Sequence, residues 1–209
     1  MRAVLVHGMG RTAPSMSLLA ARLRRTGVRP KLFTYYPAFE TFERCSARLS
    51  KYIEGQTQGA SFVVIGHSLG SVLLRSACAR LHMPPKATFL LAPPTKACRA
   101  ARFFAPRLIY KVAMGEMGQL LADPQFMEGL PIPRGLVRIY AGTGGPVGRW
   151  SPFGIEPNDG ILAVHETVLP GIAPVRVRKL HTFIMNSADI AADITETCAR
   201  LESVDRGGA

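Results

Sequence analysis

Ser68 sits in Gly66-His67-Ser68-Leu69-Gly70, a G-x-S-x-G pentapeptide between the apolar run Phe62–Ile65 and Ser71–Cys78, which reads as a helix. A strand that turns sharply into a helix lifts the central hydroxyl above a sheet edge and aims the next backbone N–H at the same point. Gly66 and Gly70 let neighbouring backbone pass close to that turn. A serine hydroxyl is a weak nucleophile near neutral pH. It needs a base within hydrogen-bond reach, and a third group to orient the base.

His181 is the candidate base. It follows the β-rich run Val175–Leu180 and precedes the last helix, which places it at the same sheet edge as Ser68; the alternative is a histidine on a surface loop. His7 and His67 belong to turns that shape the site, His82 ends a helix and His165 precedes the last strand. The candidate acid is Asp159 in Pro157-Asn158-Asp159-Gly160, which preserves the chain order serine, acid, histidine. Asn-Asp-Gly is also ordinary turn chemistry, so Glu156 and Glu166 stand as alternatives. Asp123 comes too early in the chain, and Asp189 and Asp193 lie beyond the base. The turn His7-Gly8-Met9-Gly10 follows the first strand, and the backbone N–H groups of Met9 and Leu69 are the expected donors to a developing oxyanion. It lacks both a G-x-G-x-x-G pattern and a Walker lysine, which argues against a phosphate loop.

Apolar β-rich runs alternate with helical patterns along the chain. Strands are expected at Ala3–Val6, Lys31–Tyr35, Phe62–Ile65, Ala87–Leu91, Leu136–Tyr140 and Val175–Leu180. Between them, Met16, Leu19, Ala20 and Leu23 repeat at helical spacing within Pro14–Arg25. Phe42, Cys45, Leu49, Tyr52 and Ile53 line a second helix that Gly55 can close. Pro84-Pro85 is expected to end the helix after Ser68. A last helix from about Ser187 buries Ile190, Ile194, Cys198 and Leu201, with a frayed tail from Ser203. This alternation implies a mostly parallel sheet of about six strands with helices on both faces and ligands at the carboxyl ends of the strands. The rhythm breaks between residues 93 and 133, where Lys96, Arg99, Arg102, Arg107 and Lys111 are mixed with Phe103, Phe104, Leu108, Ile109 and Tyr110. This stretch is long enough for a small helical cap within a single domain spanning 1–209.

The 209 residues are 47% hydrophobic and 19% charged, values ordinary for a globular chain. No apolar run approaches the roughly 20 residues that span a bilayer. Met1-Arg2 leads straight into Ala3–Val6, which is too short for a secretory h-region. Cys45, Cys78, Cys98 and Cys198 form no C-x-x-C pair or metal-like spacing, so buried free thiols and a cytoplasmic location are expected, with no metal or cofactor. The net charge of +12 comes without a basic run interleaved with aromatics, so nucleic acid is not an expected partner. An anionic lipid surface or substrate is one reading of that charge; general arginine usage is the other.

Together, His7-Gly8-Met9-Gly10, Gly66-His67-Ser68-Leu69-Gly70, Asn158-Asp159-Gly160 and Leu180-His181-Thr182-Phe183 resemble the α/β-hydrolase superfamily, and within it the small lipase- and esterase-like members. The resemblance implies a minimal α/β-hydrolase fold, without the first two strands of larger members. It also implies an acyl-enzyme mechanism on an ester or lipid substrate, in which Ser68 attacks, His181 takes its proton and Asp159 holds the imidazole. Thioesterase, acyltransferase and non-catalytic relatives share the fold, and these readings stay open. Ser71 stands where many members carry another glycine, implying a local difference in helix–strand packing.

Overall fold

The structure, a computed structural model, describes residues 1–207. Its centre is a six-stranded, all-parallel sheet in the order β2-β1-β3-β4-β5-β6. The strands are β1 (Arg2–Val6), β2 (Arg29–Phe33), β3 (Phe62–His67), β4 (Ala87–Leu91), β5 (Leu136–Gly142) and β6 (Val175–Val177). The helices are α1 (Ser17–Arg25), α2 (Phe42–Thr57), α3 (Leu69–Cys78), α4 (Arg99–Phe104), α5 (Leu108–Leu120), α6 (Pro124–Gly129) and α7 (Ala188–Gly207). None is long and apolar enough to cross a membrane among the described residues.

The central strands are apolar throughout because both faces are covered, and alternate side chains divide the core in two. Val4, Val6, Phe62 and Val64 pack with Cys45, Leu49 and Ile53 of α2 and with Val72 and Leu73 of α3. Ala3, Leu5, Val63 and Ile65 pack on the opposite face with Leu19 and Leu23 of α1 and with Ile190, Ile194 and Cys198 of α7. Each fully buried aliphatic side chain here contributes about 1.5–3 kcal/mol. The connection from β1 runs to β2 on one side, and β3 pairs with β1 on the other. The sheet's topological switch point therefore lies between β1 and β3, where such folds open a crevice at the strand ends. The β1–β3 register pairs Val6 with Gly66, which brings His7 and the nucleophile turn side by side.

Several sequence-derived boundaries move. The second strand is Arg29–Phe33, with Pro30 inside it, a position an edge strand tolerates because one side of its ladder is unpaired. Tyr35 lies beyond the strand and stacks on His7. Gly55 does not close α2. The helix continues to Thr57, and Gln58 (φ +47°) forms its left-handed cap, its N–H donating to Glu54 O at 2.8 Å. The helix after Ser68 ends at Cys78, ahead of Pro84-Pro85, and β6 stops at Val177, where Lys179 N turns back to Val177 O at 2.7 Å. The expected frayed tail is helical to Gly207; Gly208 and Ala209 lie outside the described residues.

Helices α4, α5 and α6 form the insertion between β4 and β5. Gly115 breaks α5 at φ +55°, where a Cβ would stand 2.5 Å from Pro37 O. Arg75 on α3 ties both ends of the insertion. Its guanidinium donates to Thr95 O (3.4 Å) at one end and to Leu130 O (2.5 Å) and Pro131 O (3.0 Å) at the other. Burial lowers it to about 10, so it remains a cation at neutral pH. Arg75→Met leaves these carbonyls without that donor and is expected to lower unfolding stability by about 2 kcal/mol or more. Urea unfolding reads the loss, and limited proteolysis should cut first within 96–130. Unchanged stability and cleavage would rule out the clamp.

Candidate active site

The strand-to-helix turn exists because no side chain fits at its two glycines. A Cβ on Gly66 would stand 2.7 Å from both N and Cα of Ser71, and one on Gly70 would collide with the carbonyl oxygens of Val6 and His7. Ser71, the expected local difference, is fully buried and donates its hydroxyl to Gly66 O at 2.7 Å, which satisfies both groups. Between the glycines Ser68 is held at φ +50°, ψ −121°, a conformation rare for a residue with a Cβ. Its N–H donates to Leu91 O (2.9 Å) and its carbonyl accepts from Ser71 N (2.8 Å), so both sides of the strained residue are fixed.

His181 and Asp159 meet at the same sheet edge. Asp159 Oδ2 accepts from His181 Nδ1 at 2.7 Å, and Asp159 Oδ1 accepts from the backbone N–H groups of Ile161 (2.9 Å) and Leu162 (2.7 Å). The His181 N–H donates to Asp159 O at 2.9 Å, so backbone and ring are held by one residue. With Nδ1–H on the carboxylate, the lone pair of His181 lies on Nε2. Ser68 and His181 line one cavity of about 270 Å³, with Met9, Cys98, Ala101, Phe104, Tyr110 and Leu162 among its walls. The Ser68 hydroxyl makes no hydrogen bond to His181 among the described residues; such contacts are often long in unliganded sites.

The other acids are engaged elsewhere. Glu166 accepts from Arg99 N (2.6 Å) and Ala163 N (2.9 Å), anchoring the start of α4. Glu156 pairs with His165, Asp123 caps α6, and Asp193 accepts from Arg138 and Tyr140. All four cysteines are free and buried, and burial pushes Cys45 and Cys78 up to about 12 and Cys98 and Cys198 to about 11. No group of three His, Cys, Asp or Glu side chains is placed to hold a metal among the described residues.

The two histidines of the turns are buried and neutral, and each fixes a neighbour. His7 Nδ1 donates to Gly8 O at 2.9 Å, its Nε2 accepts from Tyr35 N (3.4 Å), and Tyr35 stacks on the ring at 4.3 Å. A trans peptide points its N–H opposite its carbonyl, so holding Gly8 O also fixes the Met9 N–H. Gly8 borders the nucleophile, since a Cβ there would lie 3.1 Å from Ser68 Cβ. Leu69 opens α3, and its N–H is one of the donors that helix geometry leaves without an intrahelical partner. His67 Nε2 meets His181 O at 3.0 Å and can only donate to it, while Nδ1 is buried without a partner among the described residues. The sequence marked His7 and His67 as shaping residues and Glu166 as an alternative acid; Tyr35 and Arg75 carried no signal that set them apart from other strand and helix residues.

Burial pushes His67 well below the ordinary histidine range, and the nearby His181 adds to the shift. A histidine with a depressed folded-state pKa contributes stability that is fully present above its unfolded pKa of about 6.5 and is lost as the pH falls below it. Unfolding free energy should therefore fall by about 1.4 kcal/mol per pH unit from this residue as the pH drops below about 6.5. His67→Gln keeps an N–H near the Nε2 position and removes the titration, so its stability should be flatter with pH while turnover stays within about tenfold. His67→Leu loses the tie to His181 and should lower kcat by about 10- to 100-fold. Equal activity of the two variants would exclude a positioning role.

No family model and no curated protein matches the sequence. Solved structures match the fold. A Bacillus licheniformis lipase in its mature form aligns over 88% of this chain and 86% of its own, with TM-score 0.73 and 16% identity. A metagenomic carboxyl esterase aligns over 97% and 76%, with TM-score 0.70 and 16% identity. A thioesterase from the prodiginine biosynthetic pathway of Streptomyces coelicolor aligns over 93% and 85%, with TM-score 0.63 and 14% identity. The chain has the α/β-hydrolase fold in a minimal form.

Proposed function

We propose that this protein is a serine hydrolase that cleaves carboxylic esters through Ser68, His181 and Asp159. The observation that carries this reading is the 2.7 Å contact between Asp159 and His181 Nδ1, which leaves Nε2 as the base in the cavity that the strained Ser68 also lines. Ser68 Oγ attacks the ester carbonyl while His181 Nε2 takes its proton. The oxyanion that forms is met by the N–H groups of Leu69 and Met9, each worth about 10²–10³ in rate. His181 then gives its proton to the departing alkoxide, leaving an acyl-Ser68 ester. Water, deprotonated by the same nitrogen, attacks that ester; the bond to Ser68 Oγ breaks as His181 Nε2 returns the proton to it, and the carboxylic acid is released. Ala101, Phe104, Leu121 and Leu162 give the acyl chain an apolar wall. Four free thiols support placing the protein in a reducing, cytoplasmic compartment.

A fluorophosphonate probe should label the folded protein at Ser68, read by peptide mass spectrometry, and p-nitrophenyl acetate through palmitate should be hydrolysed. Absence of both label and turnover would leave a non-catalytic fold relative. Structural relatives that cleave thioesters motivate a second reading, thioester cleavage or acyl transfer on the same serine. Faster turnover of acyl-thioesters than oxygen esters, or preferential acyl transfer to an added alcohol, would select it.

A further inference from the structure

The insertion presents apolar side chains to solvent at the mouth of the cavity. Leu108, Ile109 and Val112 of α5 are 75%, 85% and 70% exposed, and Phe103 of α4 is 60% exposed. Beyond the break at Gly115, Met117 and Gly118 of α5 are buried. A group of neighbouring exposed apolar side chains ordinarily marks a surface that meets a partner. The patch is continuous with the cavity. The Phe103 ring lies 5.1 Å from that of Phe104, which stacks on Tyr110 at 5.9 Å, and both Phe104 and Tyr110 line the walls around Ser68. Ile161, which also lines the cavity, is 41% exposed.

The charge around this patch has one sign. From Lys96 to Gly115 the chain carries Lys96, Arg99, Arg102, Arg107 and Lys111 and no acid, and Glu116, the next residue, accepts from Phe42 N at 3.2 Å. Arg107 folds over the Phe103 ring at 3.8 Å, and Arg99 is drawn back to Pro152 O and Glu156. Lys96, Arg102 and Lys111 are exposed with no anionic partner among the described residues. Nearby acids are already occupied, Glu156 by His165 and Glu40 by Arg48. Apolar side chains flanked by unpaired cations match an interface of acyl chains beneath anionic headgroups. A protein partner of this complementarity would need acids beside each cation; a lipid headgroup plane supplies anions everywhere.

We infer that the outer face of α4 and α5 docks on an anionic lipid surface, bringing the mouth of the Ser68 cavity against it. The docking itself does not depend on the hydrolase reading; the identification of the substrate as an ester drawn from that surface does.

The test is co-sedimentation of the full chain with vesicles of phosphatidylcholine alone or mixed with phosphatidylglycerol. Turnover of p-nitrophenyl acetate, which needs no surface, is measured in parallel. Binding is expected only to the mixed vesicles, weakening steeply with salt. Arg102→Glu with Lys111→Glu should reduce it by about 100-fold or more, given a factor of about five per cation removed and more on reversal. Leu108→Asp with Ile109→Asp should reduce it comparably, and none of these changes should alter acetate turnover. Because the chain carries +12, the control is Arg29→Glu with Lys31→Glu, the same charge change on β2 at the far edge of the sheet, which should retain most of the binding. Loss in the control equal to that in the α4–α5 variants, binding that survives those variants, or equal binding to neutral vesicles would overturn the proposal. So would a dimer in solution that Ile109→Asp dissociates, because the face would then belong to a second copy. Acetate turnover absent alongside normal vesicle binding would instead overturn the hydrolase reading.

Discussion

Ser68→Ala is expected to lower kcat/KM for soluble esters by about 10⁶-fold, to the residual rate that binding and the oxyanion donors sustain on their own. The size of the loss follows from the arrangement. In the proposed mechanism His181 Nε2 and the two backbone donors act on a nucleophile at that point, and the nearby Ser71 hydroxyl cannot take its place because it is buried and bound to Gly66 O. A second variant separates chemistry from fold. Ser68→Ala retains a Cβ at φ +50° and keeps the backbone strain, whereas Ser68→Gly releases it. The glycine variant should be inactive and about 1 kcal/mol more stable than the alanine variant, the strain relief exceeding glycine's entropic penalty. Fluorogenic ester assays and chemical denaturation read the two effects independently. Turnover of Ser68→Ala within tenfold of the unaltered protein would remove Ser68 from the mechanism.

How much of this was legible in the sequence depends on how local the determinant is. The turn around Ser68 is dictated by two glycines within five residues, and the strands of the switch point by unbroken apolar runs, so both read directly. The parallel sheet and the helices on each face follow from strand–helix alternation, whereas the strand order is set by tertiary pairing. The edges blur because pairing ends there for tertiary reasons. Val175–Leu180 alternates as a strand should, yet only Val175–Val177 has a β5 residue to pair with. Gln58 caps α2 against local preference, three residues past the glycine that looked suited to the task. Contacts between distant segments leave the weakest trace. Arg75 reads as an ordinary basic helix residue, and only the fold brings Thr95 and Leu130 to its guanidinium. Glu166 looked interchangeable with Asp159 as an acid until its carboxylate was seen on Arg99 N and Ala163 N.

Asp159→Asn should lower kcat by about 10⁴-fold with little loss of stability, and the surrounding hydrogen bonds determine why. Asparagine has one acceptor oxygen where aspartate has two. The backbone N–H groups of Ile161 and Leu162 converge on Oδ1, so turning an amide NH₂ toward them would bury two unsatisfied donors, at about 1–3 kcal/mol each. The amide oxygen therefore stays at the Oδ1 position and the NH₂ faces His181 Nδ1. Nδ1 must then accept, which moves the imidazole proton to Nε2 and leaves no lone pair for the Ser68 proton. Fold, cavity and substrate binding remain, so KM should change little while kcat collapses. Asp159→Ala makes the contrasting case: it forfeits both backbone acceptor contacts and should lose stability as well as rate. Steady-state kinetics on a soluble ester and thermal unfolding of the two variants distinguish the outcomes. An asparagine variant with near-normal kcat would mean that the carboxylate facing His181 supports the loop alone and that the imidazole is oriented by its backbone ties to Asp159 O and His67.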